Sequence, residues 1–208
     1  MKRLWGCVFV VLVLLFDVSI ARAANGFQAS SPGARHGTVD ASAAANRCRF
    51  QRFTAPGSGT ITITEIGHWV SADAATTACF RLAIFTDDAV NNNPDVIVTN
   101  SETSEYCTTN TSIHKESHAY SPQPTLTGGT IYWLGEYQKD ANMNIDRIAT
   151  GGTAVRVTAA TYPTWPTATQ WDSGTDVTED EGVYAVYVTT GGGGFIPSWL
   201  PENGGLIE

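Results

Sequence analysis

The stretch from Ile61 to Asp88, ITITEIGHWVSADAATTACFRLAIFTDD, sets the narrowest limits on how this chain can fold. Ile61 and Ile63 alternate with Thr60, Thr62 and Thr64. Side chains alternate across a strand, so the two isoleucines share a face. After Glu65 the phase changes, and Ile66, His68 and Val70 fall into step with one another. A slip of one residue reverses which side of a strand is buried. A bulge near Thr64–Gly67 produces such a slip, and Gly67 suits one. The second half alternates Phe80, Leu82 and Ile84 with Cys79, Arg81, Ala83 and Phe85. Both faces are apolar, which places this strand in the middle of a sheet packed on a second layer. Asp87-Asp88 and Asn91-Asn92-Asn93-Pro94 end the run with turn chemistry.

The rest of the chain repeats this pattern. Arg47–Thr54 is anchored by Phe50 and Phe53, and Pro56-Gly57-Ser58-Gly59 turns it into the Ile61 run. Short β-runs follow at 96–101, 113–120, 130–137, 153–158 and 183–189, separated by Gly, Pro and Asn. A short strand is also expected near His36–Val39, and 141–148 is ambiguous. Residues 159–181 read as a long loop containing Pro163 and Pro166. No convincing helix is visible outside the N-terminal segment. About eight short strands with turns between them predict an all-β fold, a sandwich of two antiparallel sheets. Greek-key closure of its edges would make it a jelly roll.

Residues 1–23 read as a signal peptide. Lys2 and Arg3 lead, an apolar run from Leu4 to Phe16 follows, and Ala21-Arg22-Ala23 forms the cleavage site. The apolar run is too short for a span, which takes roughly twenty residues, so no membrane span is expected in the mature protein. The expected organisation is a flexible lead-in at 24–46, a sandwich at 47–190, and a glycine linker with an apolar tail at 191–208. The segment 1–23 carries Lys2, Arg3, Arg22 and Asp17, so its removal takes the net charge from −8 to −10. That acidity excludes nucleic acid, whose phosphates require clustered Lys and Arg. It suits a secreted or cell-surface life and neutral glycans or cations as ligands.

Of four cysteines, Cys7 leaves with the signal peptide. Cys79 opens a strand, and Cys107 sits in a loop able to return to it. The expectation is a Cys79–Cys107 disulfide with Cys48 free inside another strand.

The runs RFTAPGSGTITITEIGHWV, RLAIFTDD, GGTIYWLGEY and GVYAVYVTTG occur in an order that resembles jelly-roll modules of bacterial extracellular and phage-associated proteins. The resemblance covers about Arg47 to Thr190 and rests on strand-core patterns. It implies an accessory binding or structural domain without a shared catalytic set.

Tyr162, Trp165 and Trp171 lie in the proline-containing loop. They either cap an open end of the core or form a rigid platform on which a sugar ring stacks. The ligand site is assigned to these three rings. Asp87, Asp88, Asn91, Asn93 and Asp95 crowd one loop. Such residues are ordinary turn formers, and they are also oxygen donors of the kind calcium takes. A structural calcium is therefore the one cofactor considered. His114, Glu116 and His118 share one face of a strand, a donor set of zinc type without a fourth ligand. No nucleophile elbow and no paired-carboxylate strand motif is present.

The function expected is a non-enzymatic, carbohydrate-binding module. The alternative is a structural or adhesive component acting through protein contacts. The tail supports it, since Phe195, Ile196, Trp199, Leu200, Leu206 and Ile207 suit a protein partner or self-assembly through 195–208. A small glycan-active enzyme is a third reading.

Overall fold

The computed structural model describes residues 26–32, 38–40, 45–73, 76–148, 152–157, 161–171, 175–177 and 180–189. The strands are β1 (Gly26–Gln28), β2 (Thr38–Asp40), β3 (Arg47–Thr54), β4 (Thr60–Ala72), β5 (Ala78–Asp88), β6 (Asn93–Ile97), β7 (Tyr106–Thr108) and β8 (His114–Ala119). They continue with β9 (Thr125–Thr127), β10 (Ile131–Gln138), β11 (Met143–Ile148), β12 (Ala154–Val157), β13 (Thr175–Val177), β14 (Asp180–Glu181) and β15 (Val183–Thr189). One helical turn, α1, spans Ala168–Trp171.

The fold is the expected all-β sandwich. The first sheet runs β1-β15-β4-β11-β14, with β8 and β9 also on β4 and β2 on β11. The second runs β13-β12-β3-β10-β5-β6, with β7 also on β5. Successive core strands change layer: β3 lies in the second sheet, β4 in the first, β5 to β7 in the second, β8 and β9 in the first, β10 in the second and β15 in the first. This is the winding of a jelly roll, with β11 to β14 inserted before its last strand. Among the described pairs only β1–β15 is parallel.

The phase change in β4 has the anticipated cause. Glu65 pairs with Val186 and Ile63 with Tyr187, so Thr64 is the extra residue of a bulge. Ile61, Ile63, Ile66 and Val70 consequently all enter the core between the sheets. Gly67 serves a neighbouring need. A Cβ there would lie 2.5 Å from the Tyr184 hydroxyl and 2.6 Å from the Glu116 carbonyl oxygen.

Strand β5 is interior to its sheet and apolar on both faces, as its alternation indicated. Phe80, Leu82 and Ile84 point between the sheets, while Ala83 and Phe85 join a second cluster with Cys48, Phe50, Trp133, Tyr137, Val155 and Val157. That second cluster covers the outer face of the second sheet, and the segment 161–171 lies over it. At Gly135 a Cβ would come within 2.6 Å of the Phe50 ring, so the aromatic layer leaves room only for glycine.

Cys79 and Cys107 are cross-strand partners joined in a disulfide, at a sequence separation of 28. Closing a loop of that size contributes roughly 3–4 kcal/mol in the chain-entropy picture. Cys48 is free and buried, and burial pushes its thiol far up, with the nearby Glu136 adding to the effect.

The sandwich interior also holds a hydrogen-bonded polar pair. His68 on β4 donates from Nδ1 to Glu136 Oε2 on β10 at 2.7 Å, and each side chain is 1% exposed. Arg49, also buried, lies directly across from Glu136 in the β3–β10 register. The pair therefore ties one sheet to the other.

Within 24–46, read as a flexible lead-in with a short strand near His36–Val39, the described residues form two strands. Gly26–Gln28 pairs with β15 and Thr38–Asp40 with β11, so both belong to the first sheet. Buried Gly26 packs on the Phe53 ring and Phe27 sets its edge against Tyr132. The segment 1–23, expected to be a signal peptide, and the tail 191–208 lie outside the described residues.

Candidate functional site: a cleft beside the disulfide

One concavity among the described residues is an open cleft of about 700 Å³ on the outer side of the second sheet. It is lined by Arg81, Ser104, Glu105, Lys139, Tyr162 and Pro163. Each comes from a different anchor. Arg81 is the one charged side chain in the apolar body of β5. Ser104 and Glu105 follow Ser101 and Thr103, two buried residues whose hydroxyls accept from the Ile84 and Leu82 amides. Cys107 fixes the other side of this short segment. Lys139 follows β10 directly, and its amide donates to the Cys79 carbonyl. Tyr162 and Pro163 form a turn at the rim of the 161–171 segment.

Arg81 is engaged as a staple. Nε donates to the Thr103 carbonyl at 3.2 Å, and Nη1 contacts Glu102 at 2.9 Å and the Pro163 carbonyl at 3.4 Å. Glu102 also accepts from the Trp165 indole at 2.8 Å. Lys139 Nζ lies 3.2 Å from both oxygens of Glu105 and 5.6 Å from the centre of the Tyr162 ring. Glu105 is held below the usual carboxylate range, first by the Tyr162 hydroxyl beside it and then by Lys139. The Tyr162 phenol is pushed up by burial and by Glu105, so it stays neutral across the physiological range.

The cleft thus presents an ionised acceptor, a cationic donor and a half-buried aromatic ring within one open surface, while the Tyr162 hydroxyl itself is buried. No protein-family model matches the chain, and no curated protein matches it. Its chemistry is read from this geometry alone.

Of the three rings assigned to a ligand, the cleft contains Tyr162. Trp165 and Trp171 are 8% and 3% exposed and do not form a platform. Trp171 packs edge-on against Phe50 with centroids 4.5 Å apart, and Trp165 against Phe85 at 5.1 Å. They cap the core because the outer face of the second sheet is itself apolar and takes indoles out of water. Tyr162 rests against Tyr137 at 5.0 Å and keeps part of its surface open.

The acidic loop is used for turn and packing chemistry. Asp87 points back to the sheet, accepting from the Trp133 indole at 2.7 Å and pairing with Arg52 at 3.2 Å. Asp88 accepts from the Val90 and Asn91 amides and from Asn91 Nδ2, which hold its carboxyl below the ordinary value. The carboxylates of Asp87, Asp88 and Asp95 do not converge. Of the set Asp87, Asp88, Asn91, Asn93 and Asp95 expected to hold calcium, Asp88 and Asn91 are bonded to each other, whereas Asp87, facing the opposite way, turns to Trp133 and Arg52.

His114, Glu116 and His118 do share the inward side of β8, as their spacing required. His114 contacts Glu116 at 2.6 Å, whereas His118 pairs with the Tyr106 hydroxyl. Residues four apart on a strand lie roughly 13 Å apart, too far for one ion. Burial holds His118 below the usual histidine value. Among the described residues, three donors of metal-binding type converge at Cys79, Glu105 and Cys107, where the two sulfurs are bonded to each other. No described helix is long and apolar enough to cross a membrane.

Arg81, Glu105 and Lys139 carry no motif. The available signal was Arg81 itself, a lone charge on a strand face otherwise made of Cys79, Ala83 and Phe85. A disulfide from Cys79 to Cys107 necessarily brings Glu105 to that neighbourhood.

Proposed function

We propose that the chain is a secreted, non-enzymatic binding module whose ligand is a carbohydrate taken at the Tyr162 cleft. The observation that carries this reading is the meeting of a partly open aromatic ring with Glu105, Lys139 and Ser104 in one open groove. Sugar rings have an apolar face and polar edges, and an aromatic ring with a few fixed polar groups matches both. An incoming ring approaches the open part of the Tyr162 ring, beside Lys139. Glu105 is held ionised, which suits it to accept hydrogen bonds and not to give up a proton as a general acid. The signal-like segment 1–23 and the acidic charge support export.

Retention on a neutral polysaccharide gel tests the reading. Tyr162→Phe keeps the ring and should be retained like the parent protein. Tyr162→Ala should lose retention by at least tenfold while the melting temperature falls by only a few degrees, because the ring is half-buried. Equal retention of Tyr162→Ala would remove the cleft as the site.

A second reading, contact with another protein, draws on the open edge at β6. Val96 on that strand is 61% exposed and Val90 at the adjoining turn is 88% exposed. Pro94 and Asp95 blunt the same edge, which limits it to a partner that tolerates both. The apolar tail 195–208 is the segment of this chain suited to such a contact. Sedimentation of the full chain beside a chain truncated after Thr190 checks this. An assembly that survives truncation excludes the tail.

A further inference from the structure

We infer that the cleft selects a neutral saccharide through two adjacent hydroxyl groups, one donating to Glu105 and the other accepting from Lys139. The inference rests on the carbohydrate reading of the cleft and specifies its ligand.

Glu105 and Lys139 make a two-part fork. Lys139 Nζ stands 3.2 Å from each Glu105 oxygen, and the two side chains are 38% and 43% exposed. A carboxylate can only accept and an ammonium can only donate, whereas a hydroxyl does both. Two neighbouring hydroxyls on a sugar ring offer a donor and an acceptor at a spacing close to one hydrogen-bond length, roughly 3 Å. Such a pair bridges the fork without moving any charge out of it, and its ring is then carried towards Tyr162.

Charged ligands fare worse in the same place. A uronate or other carboxylated sugar meets Glu105, and Glu102 stands behind it. The second cation, Arg81, has its Nε and Nη1 committed to Thr103, Glu102 and Pro163. The chain as a whole carries a net charge of −8, which adds a repulsive background for anions. An amino sugar with a free ammonium meets Lys139 and Arg81 together. The neutral polyol is the class for which every group in the cleft has a use.

Glu105 is held below the ordinary glutamate value by Tyr162 and Lys139. A carboxyl shifted down stays an acceptor as the pH falls through about 4.3, where a free glutamate is half protonated. Retention should therefore persist through that range and fade only below it.

The test uses the full chain on four immobilised polymers: mannan, a β-1,4-glucan, polygalacturonate, and mannan cleaved by periodate, which destroys adjacent hydroxyl pairs. The parent protein should be retained by a neutral polymer at least tenfold better than by polygalacturonate, and cleaved mannan should fail to retain it. Glu105→Gln and Lys139→Met should each weaken retention about tenfold without moving the melting temperature, as both sit at the surface. Equal or stronger retention by polygalacturonate, or by the cleaved mannan, would overturn the inference. So would unchanged retention of Glu105→Gln. In those cases loss of binding in Tyr162→Ala leaves the cleft standing as the site. Retention by none of the polymers removes the site and the inference together.

Discussion

Glu136→Leu should lower the unfolding free energy by about 1–3 kcal/mol, the cost of leaving a buried polar group without its hydrogen-bond partner. The carboxylate is 1% exposed and accepts from His68 across the gap between the sheets. It also stands opposite Arg49, which is equally buried. Its removal leaves the buried His68 Nδ1 without its partner. His68→Leu should cost a similar amount, about 1–3 kcal/mol, since it leaves the buried Glu136 Oε2 without the same hydrogen bond. This near equality is the informative part. Urea unfolding of the two variants measures it, and a change below about 0.5 kcal/mol in both would show that the bond between the sheets contributes nothing.

Trp171→Ala and Trp165→Ala should each cost about 3–5 kcal/mol, the range for deleting a large buried aromatic ring. For a chain of this size that corresponds to a melting temperature lower by roughly 6–20 °C. Trp171 is enclosed by Phe50 and Phe85, with ring centroids at 4.5 and 5.8 Å. Trp165 touches Phe50, Phe85 and Tyr137 and loses in addition its bond to Glu102. Calorimetry of the two variants decides between cap and platform. A change below about 1 kcal/mol, within the usual range for surface positions, would return the indoles to the surface.

Much of the architecture was legible because it depends on neighbours in the chain. The shift of phase at Glu65 marked the bulge, and the two apolar faces of the Phe80–Phe85 run marked an interior strand. Cys107 found Cys79 because a strand and the segment after it have few ways to meet. The two tryptophans were misplaced for a reason contained in the same pattern. An interior strand apolar on both faces needs a second cover, and residues 161–171 supply it. The loop's prolines said that it was stiff but not which side its rings faced. Asp87 was read as part of an acidic loop because Trp133 and Arg52, its actual partners, are distant in sequence. The cleft was invisible for the same reason, since positions 81, 104, 105, 139, 162 and 163 are adjacent only after the sheets have formed.

The extra residue at Thr64 gives β4 a rule of parity. The isoleucines before and after it reach the same core because one residue is left out of the count. Deleting Thr64 would bring Ile61, Ile63, Ile66 and Val70 into strict alternation on one face, and the strand could then run without its bulge. A single residue gained or lost elsewhere between Ile61 and Val70 would instead turn part of the strand inside out. The turn at Pro56–Gly59 is held as well, since the Gly128 amide donates to the Gly59 carbonyl at 2.6 Å. A lineage descended from this chain should therefore vary the length of this strand at the bulge and keep the spacing of the isoleucines on either side of it.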